Sequence, residues 1–177
     1  MADASGGFGF VDLVLQLVRE NETLIEVILF SVALVESVIF TSMFVPSTLI
    51  LVGIGVIEGT AAGPLLQLVL AAACGALAGD AISFAIGHTY RNRLGSLWPL
   101  SNHPALIERT YVFMAKWGVL AVVISKLTGP FRPVVPMLAG ASRMPFHNFA
   151  AASAVSALIW AALFLGPAYY GVRAVAG

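Results

Sequence analysis

The chain has 177 residues, of which 59% are hydrophobic and only 10% charged, whereas a soluble domain is about 25% charged; too few charges remain to coat a water-facing surface, so lipid must supply much of the solvent. A formal net charge of zero leaves no footprint for nucleic acid, and a single cysteine, Cys74, excludes an intrachain disulfide.

Length fits one compact membrane domain, expected over residues 24–172, with a tail and interfacial helix before it (1–23) and a short tail after it (173–177). Met1 to Phe10 shows neither a basic region nor a long apolar core, so no cleaved signal peptide is expected. Residues 8–20 place Phe10, Val11, Val14, Leu15 and Val18 opposite Asp12, Gln16 and Arg19. That pattern predicts an amphipathic helix lying in the membrane interface.

Four apolar stretches follow. Leu24 to Ile57 is too long for one untilted spanning helix, which needs about 20 apolar residues, and too short for two with a connection. It contains Glu36 and then Pro46 among hydroxyl-bearing residues, a place where proline breaks the helical ladder and hydroxyls satisfy the freed backbone. Two half-helices that dip in and return are expected, the alternative being one kinked, tilted helix. Leu65 to Ile86, opened by Gly63-Pro64, reads as a full span. Its small residues Ala71, Gly75, Gly79, Ser83 and Gly87 form a stripe that admits another backbone at close range, within the chain or in a homo-oligomer. Residues 91–111 are the most polar connection, with Arg91, Arg93, His103, Glu108 and Arg109, and favour the cytoplasmic side.

The third stretch repeats the first. Val112 to Val123 is mostly apolar, and the run from Ser125 through Gly140 contains Pro130, Pro133, Pro136, Gly129 and Gly140. Pro46, Pro130, Pro133, Pro136 and Gly140 are the expected re-entrant breaks. Phe149 to Tyr170 is a second full span, with Ser153, Ala157 and Ala161 as a small-residue stripe and Trp160 within it. Broken element, span, polar loop, broken element, span is a two-fold repeat. With one span in each half, the second half is inverted relative to the first. Inverted repeats with paired discontinuous helices are the pattern of secondary transporters, with the site near the midplane.

Glu36, Asp80, Lys126 and Arg132 fall where lipid makes charge costly, at least ~2.5–3.5 kcal/mol each on insertion scales. Two acids and two bases permit mutual neutralisation, and a purely structural pairing is the plainer reading of each alone. Three of the four, however, sit in broken elements, where half-helix N-termini offer free N–H groups to anions. Arg132 supplies a planar donor fork suited to phosphate. Lys126, Arg132, Thr128 and Gly129 are therefore the expected substrate-binding residues. Glu36 and Asp80 are the expected proton-coupling pair.

Glu36 followed by Pro46, Gly79-Asp80 before a basic loop, the run from Lys126-Leu127-Thr128-Gly129-Pro130-Phe131-Arg132-Pro133 to Gly140, and Trp160 in the last span together resemble the DedA family of SNARE-associated, or VTT-domain, membrane proteins. The resemblance covers roughly residues 24–172 and is most specific in the third stretch. It implies two re-entrant hairpins facing each other, each followed by a spanning helix. It also implies translocation of a lipid with an anionic head group: undecaprenyl phosphate in bacterial members, phospholipids in eukaryotic scramblases, with dependence on the proton-motive force proposed for the former. Glu36 matches the family's membrane-embedded acid and Arg132 the second of its two essential arginines. The chain departs from the family in having Lys126 where arginine is usual, Thr48 where a second acid is common, and Gly129-Pro130 in reversed order.

No His-Glu-x-x-His, Gly-x-Ser-x-Gly or Gly-x-x-x-x-Gly-Lys motif occurs, so no enzyme, cofactor or metal is expected. The expectation is an all-α polytopic protein of the bacterial cytoplasmic membrane that carries a phosphate-bearing lipid. A proton- or ion-coupled small-solute transporter, a membrane scaffold and a lipid phosphatase are the alternatives.

Overall fold

A computed structural model describes residues 13–18, 24–38, 47–61, 63–91, 104–128, 132 and 134–176. The described residues contain helices and turns and no strand. In chain order the helices are α1 (residues 13–18), α2 Ile25–Ser37, α3 Ser47–Ala61, α4 Leu65–Tyr90, α5 Pro104–Trp117, α6 Leu120–Ser125, α7 Val134–Ala141 and α8 Phe146–Ala176.

Only α4 and α8 are long and apolar enough to cross a membrane among the described residues. At 1.5 Å per residue their 26 and 31 residues reach roughly 39 and 46 Å, more than the ~30 Å hydrocarbon core. The outward faces of both are apolar, with Leu66, Leu70, Ile82, Leu158, Ile159 and Leu163 exposed. In water that would be a defect; against acyl chains it is the expected surface.

Among the described residues the first apolar stretch contains two helices, α2 and α3. α2 ends where Val38 turns extended (φ −80°, ψ 127°), and the chain re-enters helix at α3. Pro46, the expected cause of the break, lies outside the described residues. The start of α2 (Ile25, Glu26) and the end of α3 (Glu58, Ala61) flank the same pocket as Pro64 and Leu68 of the α4 start. α3 runs on past Ile57, burying Glu58.

The third stretch differs from expectation in three ways. The helix of the polar connection, α5, ends at Trp117, where Gly118 takes φ +55°, the left-handed conformation that closes a helix with least strain in glycine. The expected half-helix Val112–Val123 is therefore split, and α6 is only six residues long. Pro136 and Gly140, expected among the breaks, lie inside α7. Pro136 is its third residue, where an N–H would have no partner within the helix and its loss costs little. Gly140 is there for contact: a Cβ would strike the Phe84 carbonyl of α4. Gly129, Pro130 and Pro133 lie outside the described residues. Both spans also outrun their predicted ends, α4 to Tyr90 and α8 from Phe146 to Ala176, so the expected C-terminal tail is helical to Ala176.

Packing reveals the repeat. α2 lies on α4 and α6 on α8, so each leading half-helix contacts the span of its own repeat. α3 lies on α8 and α7 on α4, so each trailing half-helix contacts the span of the other. α4 and α8 are antiparallel. One core cluster joins Leu68–Ala76 of α4 to Ala157–Leu165 of α8, and a second joins Phe84 of α4 to Phe149 and Ala152 of α8. α1 adds Val14 and Val18 to the first cluster while Leu13 and Leu17 stay exposed, an apolar face turned inward on a short surface helix.

The small-residue stripe of α4 is filled within the chain. A Cβ on Gly75 would collide with the Phe30 carbonyl of α2, and one on Gly87 with the Met137 carbonyl of α7. These glycines let both half-helices lie backbone to backbone on the span.

Candidate functional site: a charge layer between the repeats

The two apolar clusters do not meet directly. Along α4, Ala76 belongs to the first and Phe84 to the second, with Asp80 and Ser83 between. Along α8, Ala152 belongs to the second and Ala157 to the first, with Ser153 and Ser156 between. A polar layer therefore crosses the middle of the bundle, and all four ionisable residues singled out in the sequence lie in it.

Arg132 meets Glu36 through two donors. Its Nη1 donates to Oε1 at 2.6 Å and its Nη2 to Oε2 at 3.1 Å. This fork-to-fork geometry is the strongest form of the pair. The guanidinium also stacks on Trp160 of α8, 4.3 Å from the ring centroid, and the aromatic face adds about 0.5–2 kcal/mol of cation–π attraction. α2 delivers Glu36 at its C-terminal end, and Arg132 stands between α6 and α7.

Lys126, at the C-terminal end of α6, donates to Asp80 Oδ2 of α4. Ser153 of α8 donates its hydroxyl to the same oxygen. Lys126 and Asp80 are 5% and 4% exposed, so the desolvation cost of two such charges is large and their pairing offsets it. The two pairs also act on each other: Glu36 lies within electrostatic reach of Lys126 and Asp80, and Lys126 within reach of Arg132. Charge in the layer sums to zero.

Of the remaining expected site residues, Thr128 spends its hydroxyl on the end of α6, donating to the carbonyls of Ser125 (3.1 Å) and Ile124 (3.3 Å); Gly129 is outside the described residues. Sequence reasoning missed the hydroxyl layer. Ser153 was visible only as a small residue in a stripe, and nothing in its spacing pointed to Asp80. Ser83 donates to the Ser37 carbonyl at 3.1 Å, pinning the end of α2 to α4. Among the described residues, two buried polar atoms of the layer have no hydrogen-bond partner, Ser37 Oγ and Arg132 Nε. Such atoms are costly unless something else occupies them.

Paired as they are, the four charges hold the broken elements against the spans.

The chain matches the family model described as the VTT domain over residues 45–170. It is 28% identical to the Escherichia coli inner membrane protein YabI over 136 residues, 77% of this chain and 54% of that protein. It is 26% identical to the Escherichia coli protein DedA over 159 residues, 88% of this chain and 72% of that protein. It is also 35% identical to the uncharacterized membrane protein Mb2670 of Mycobacterium bovis over 98 residues, 51% of this chain and 44% of that protein. The chain thus spans about half the length of YabI. No solved structure matches it. Family model, relatives and fold agree, and the chain belongs to the VTT-domain family of membrane proteins, the family of DedA.

Proposed function

We propose that this protein is a carrier for a phosphate-bearing membrane lipid, working by exchange of Arg132 between Glu36 and the lipid phosphate. The bidentate Glu36–Arg132 pair is the observation that carries the reading. A guanidinium fork fits phosphate as well as carboxylate. Moving Arg132 from one to the other leaves Glu36 an unpaired buried carboxylate, a costly state unless it takes up a proton. Proton uptake at Glu36 and anion binding at Arg132 therefore favour each other, by equal amounts in both directions. A pH gradient across the membrane becomes a bias on lipid movement.

The unpartnered Arg132 Nε and Ser37 Oγ offer further hydrogen bonds to a head group in the layer. The Lys126–Asp80–Ser153 group is more deeply buried and is the fixed neighbour whose charges tune that exchange. The exposed apolar faces of both spans favour a substrate whose tails stay in lipid over a small aqueous solute. The bacterial cytoplasmic membrane is the proposed location, in keeping with the similarity to the inner membrane protein YabI.

Reconstitution in liposomes with labelled undecaprenyl phosphate and with phospholipids, with and without a pH gradient, tests the reading. Wild type should move the phosphate lipid, faster with the gradient, and Arg132→Ala should abolish movement while the protein stays folded. Transport by Arg132→Ala at the wild-type rate would overturn it.

A further inference from the structure

A second polar-to-apolar site lies outside the charge layer. α7 ends in a six-to-one, five-to-two hydrogen-bond pattern: Met144 N–H donates to the Ala139 carbonyl at 3.1 Å and Arg143 N–H to the Gly140 carbonyl at 3.2 Å. The residue at the left-handed position of this motif is usually glycine. Here it is Arg143, at φ 57°, a conformation that strains any residue with a side chain. A strained arginine where glycine would be easier is a reason to look for what its side chain does.

Its side chain borders a pocket of ≈ 440 Å³ against the last two turns of α4, lined among others by Ala81, Ala85, Phe84, His88, Thr89 and Phe146. Polarity is graded along it. His88 and Thr89 stand near the end of the span with Arg143, and Ala81 and Ala85 lie deeper, towards the level of Asp80. From Ala81 to Thr89 the helix rises roughly 12 Å. Phe84 and Phe146 meet edge to face at 5.5 Å, and Phe146 is 56% exposed. Among the described residues no acidic side chain lines the pocket and Arg143 forms no ion pair.

We infer that this groove holds an anionic phospholipid, with its phosphodiester on Arg143 and His88 and one acyl chain along Ala81, Ala85 and Phe146. The uncompensated cation selects the head group, and the graded wall, cationic at the membrane surface and apolar below, has the polarity profile of a lipid rather than of a soluble anion. The bound lipid is a resident of the groove between α4 and the α7–α8 turn and is distinct from the lipid proposed to pass through the charge layer.

Native mass spectrometry of the purified full chain, offered equimolar phosphatidylglycerol and phosphatidylcholine, reads the site directly. Wild type should carry phosphatidylglycerol in about fivefold excess, the scale of one arginine at a membrane surface. Arg143→Gly should bring the two lipids near parity, while its melting temperature in lipid-free detergent is unchanged or higher, because glycine relieves the strain. Arg132→Ala should keep the excess. An unchanged preference in Arg143→Gly would overturn the inference. So would loss of the preference in Arg132→Ala alone, which would put the lipid in the charge layer, or stabilisation of wild type by millimolar inorganic phosphate equal to that by phosphatidylglycerol. If Arg143→Gly does not fold, Ala85→Leu, which fills the exposed apolar wall, should reduce the excess in the same way, and an unreduced excess there overturns it equally.

Discussion

The two repeats share a layout and differ in sign. The first brings Glu36 and Asp80 to the middle of the bundle, and the second brings Lys126 and Arg132. Both ion pairs cross from one repeat to the other, so neither repeat can neutralise its own charges. An apolar interface would hold the halves together as well or better, since buried ion pairs seldom stabilise relative to well-packed hydrophobic residues. In the proposed function, the opposite signs add a contact that a proton or a competing anion can open. The halves also differ in length: α2 and α3 have 13 and 15 residues, against six and eight for α6 and α7. The shorter, proline-rich half supplies the cations, where the chain has the least helix to restrain them.

The sharpest way to break this arrangement is to orphan one charge. Asp80→Ala leaves Lys126 buried without its carboxylate and should cost about 3–5 kcal/mol, read from thermal unfolding in detergent; the double variant Asp80→Asn, Lys126→Gln should recover much of that loss. Next in size, Gly87→Ala drives a methyl into the Met137 carbonyl and should cost about 3 kcal/mol by overpacking, loosening α7 from α4 and lowering the melting temperature. Arg132→Lys keeps the charge but loses the fork and most of the Trp160 stack. About 1–2 kcal/mol is expected there, seen as a roughly tenfold fall in lipid transport with the fold intact. The smallest effect is a gain: Gly171→Ala, in α8 with open space at its Cβ, should stabilise by about 0.5–1 kcal/mol and leave transport unchanged, which separates packing glycines from idle ones.

The rarity of charge in apolar sequence made Glu36, Asp80, Lys126 and Arg132 legible, and the order of broken and unbroken stretches made the repeat legible. Their partners were not, because pairing depends on how the halves dock. That docking is set by backbone contacts at Gly75, Gly87 and Gly140, which a stripe of small residues announces without saying what fills it. Gly118 falls inside the apolar run Val112 to Val123; its left-handed turn depends on α5 ending there, and α5 begins inside what read as a polar loop. Pro136 read as a breaker because proline usually is one, yet in the first turn of a helix it has no hydrogen bond to remove. At the C-terminus, Arg173 donates to the Tyr169 hydroxyl at 3.0 Å, which in turn donates to the Gly63 carbonyl at 2.8 Å, tying what read as a tail to the start of α4.

The coupling of proton to phosphate at Glu36 and Arg132 is measured most directly by calorimetry. Short-chain phosphatidylglycerol, whose phosphodiester does not titrate near neutrality, is bound to the detergent-solubilised protein in buffers of different ionisation enthalpy. Wild type should take up a proton as the lipid binds, and Glu36→Gln should bind at least as tightly with no uptake. Binding by wild type without a proton, or equal uptake by Glu36→Gln, would contradict the exchange.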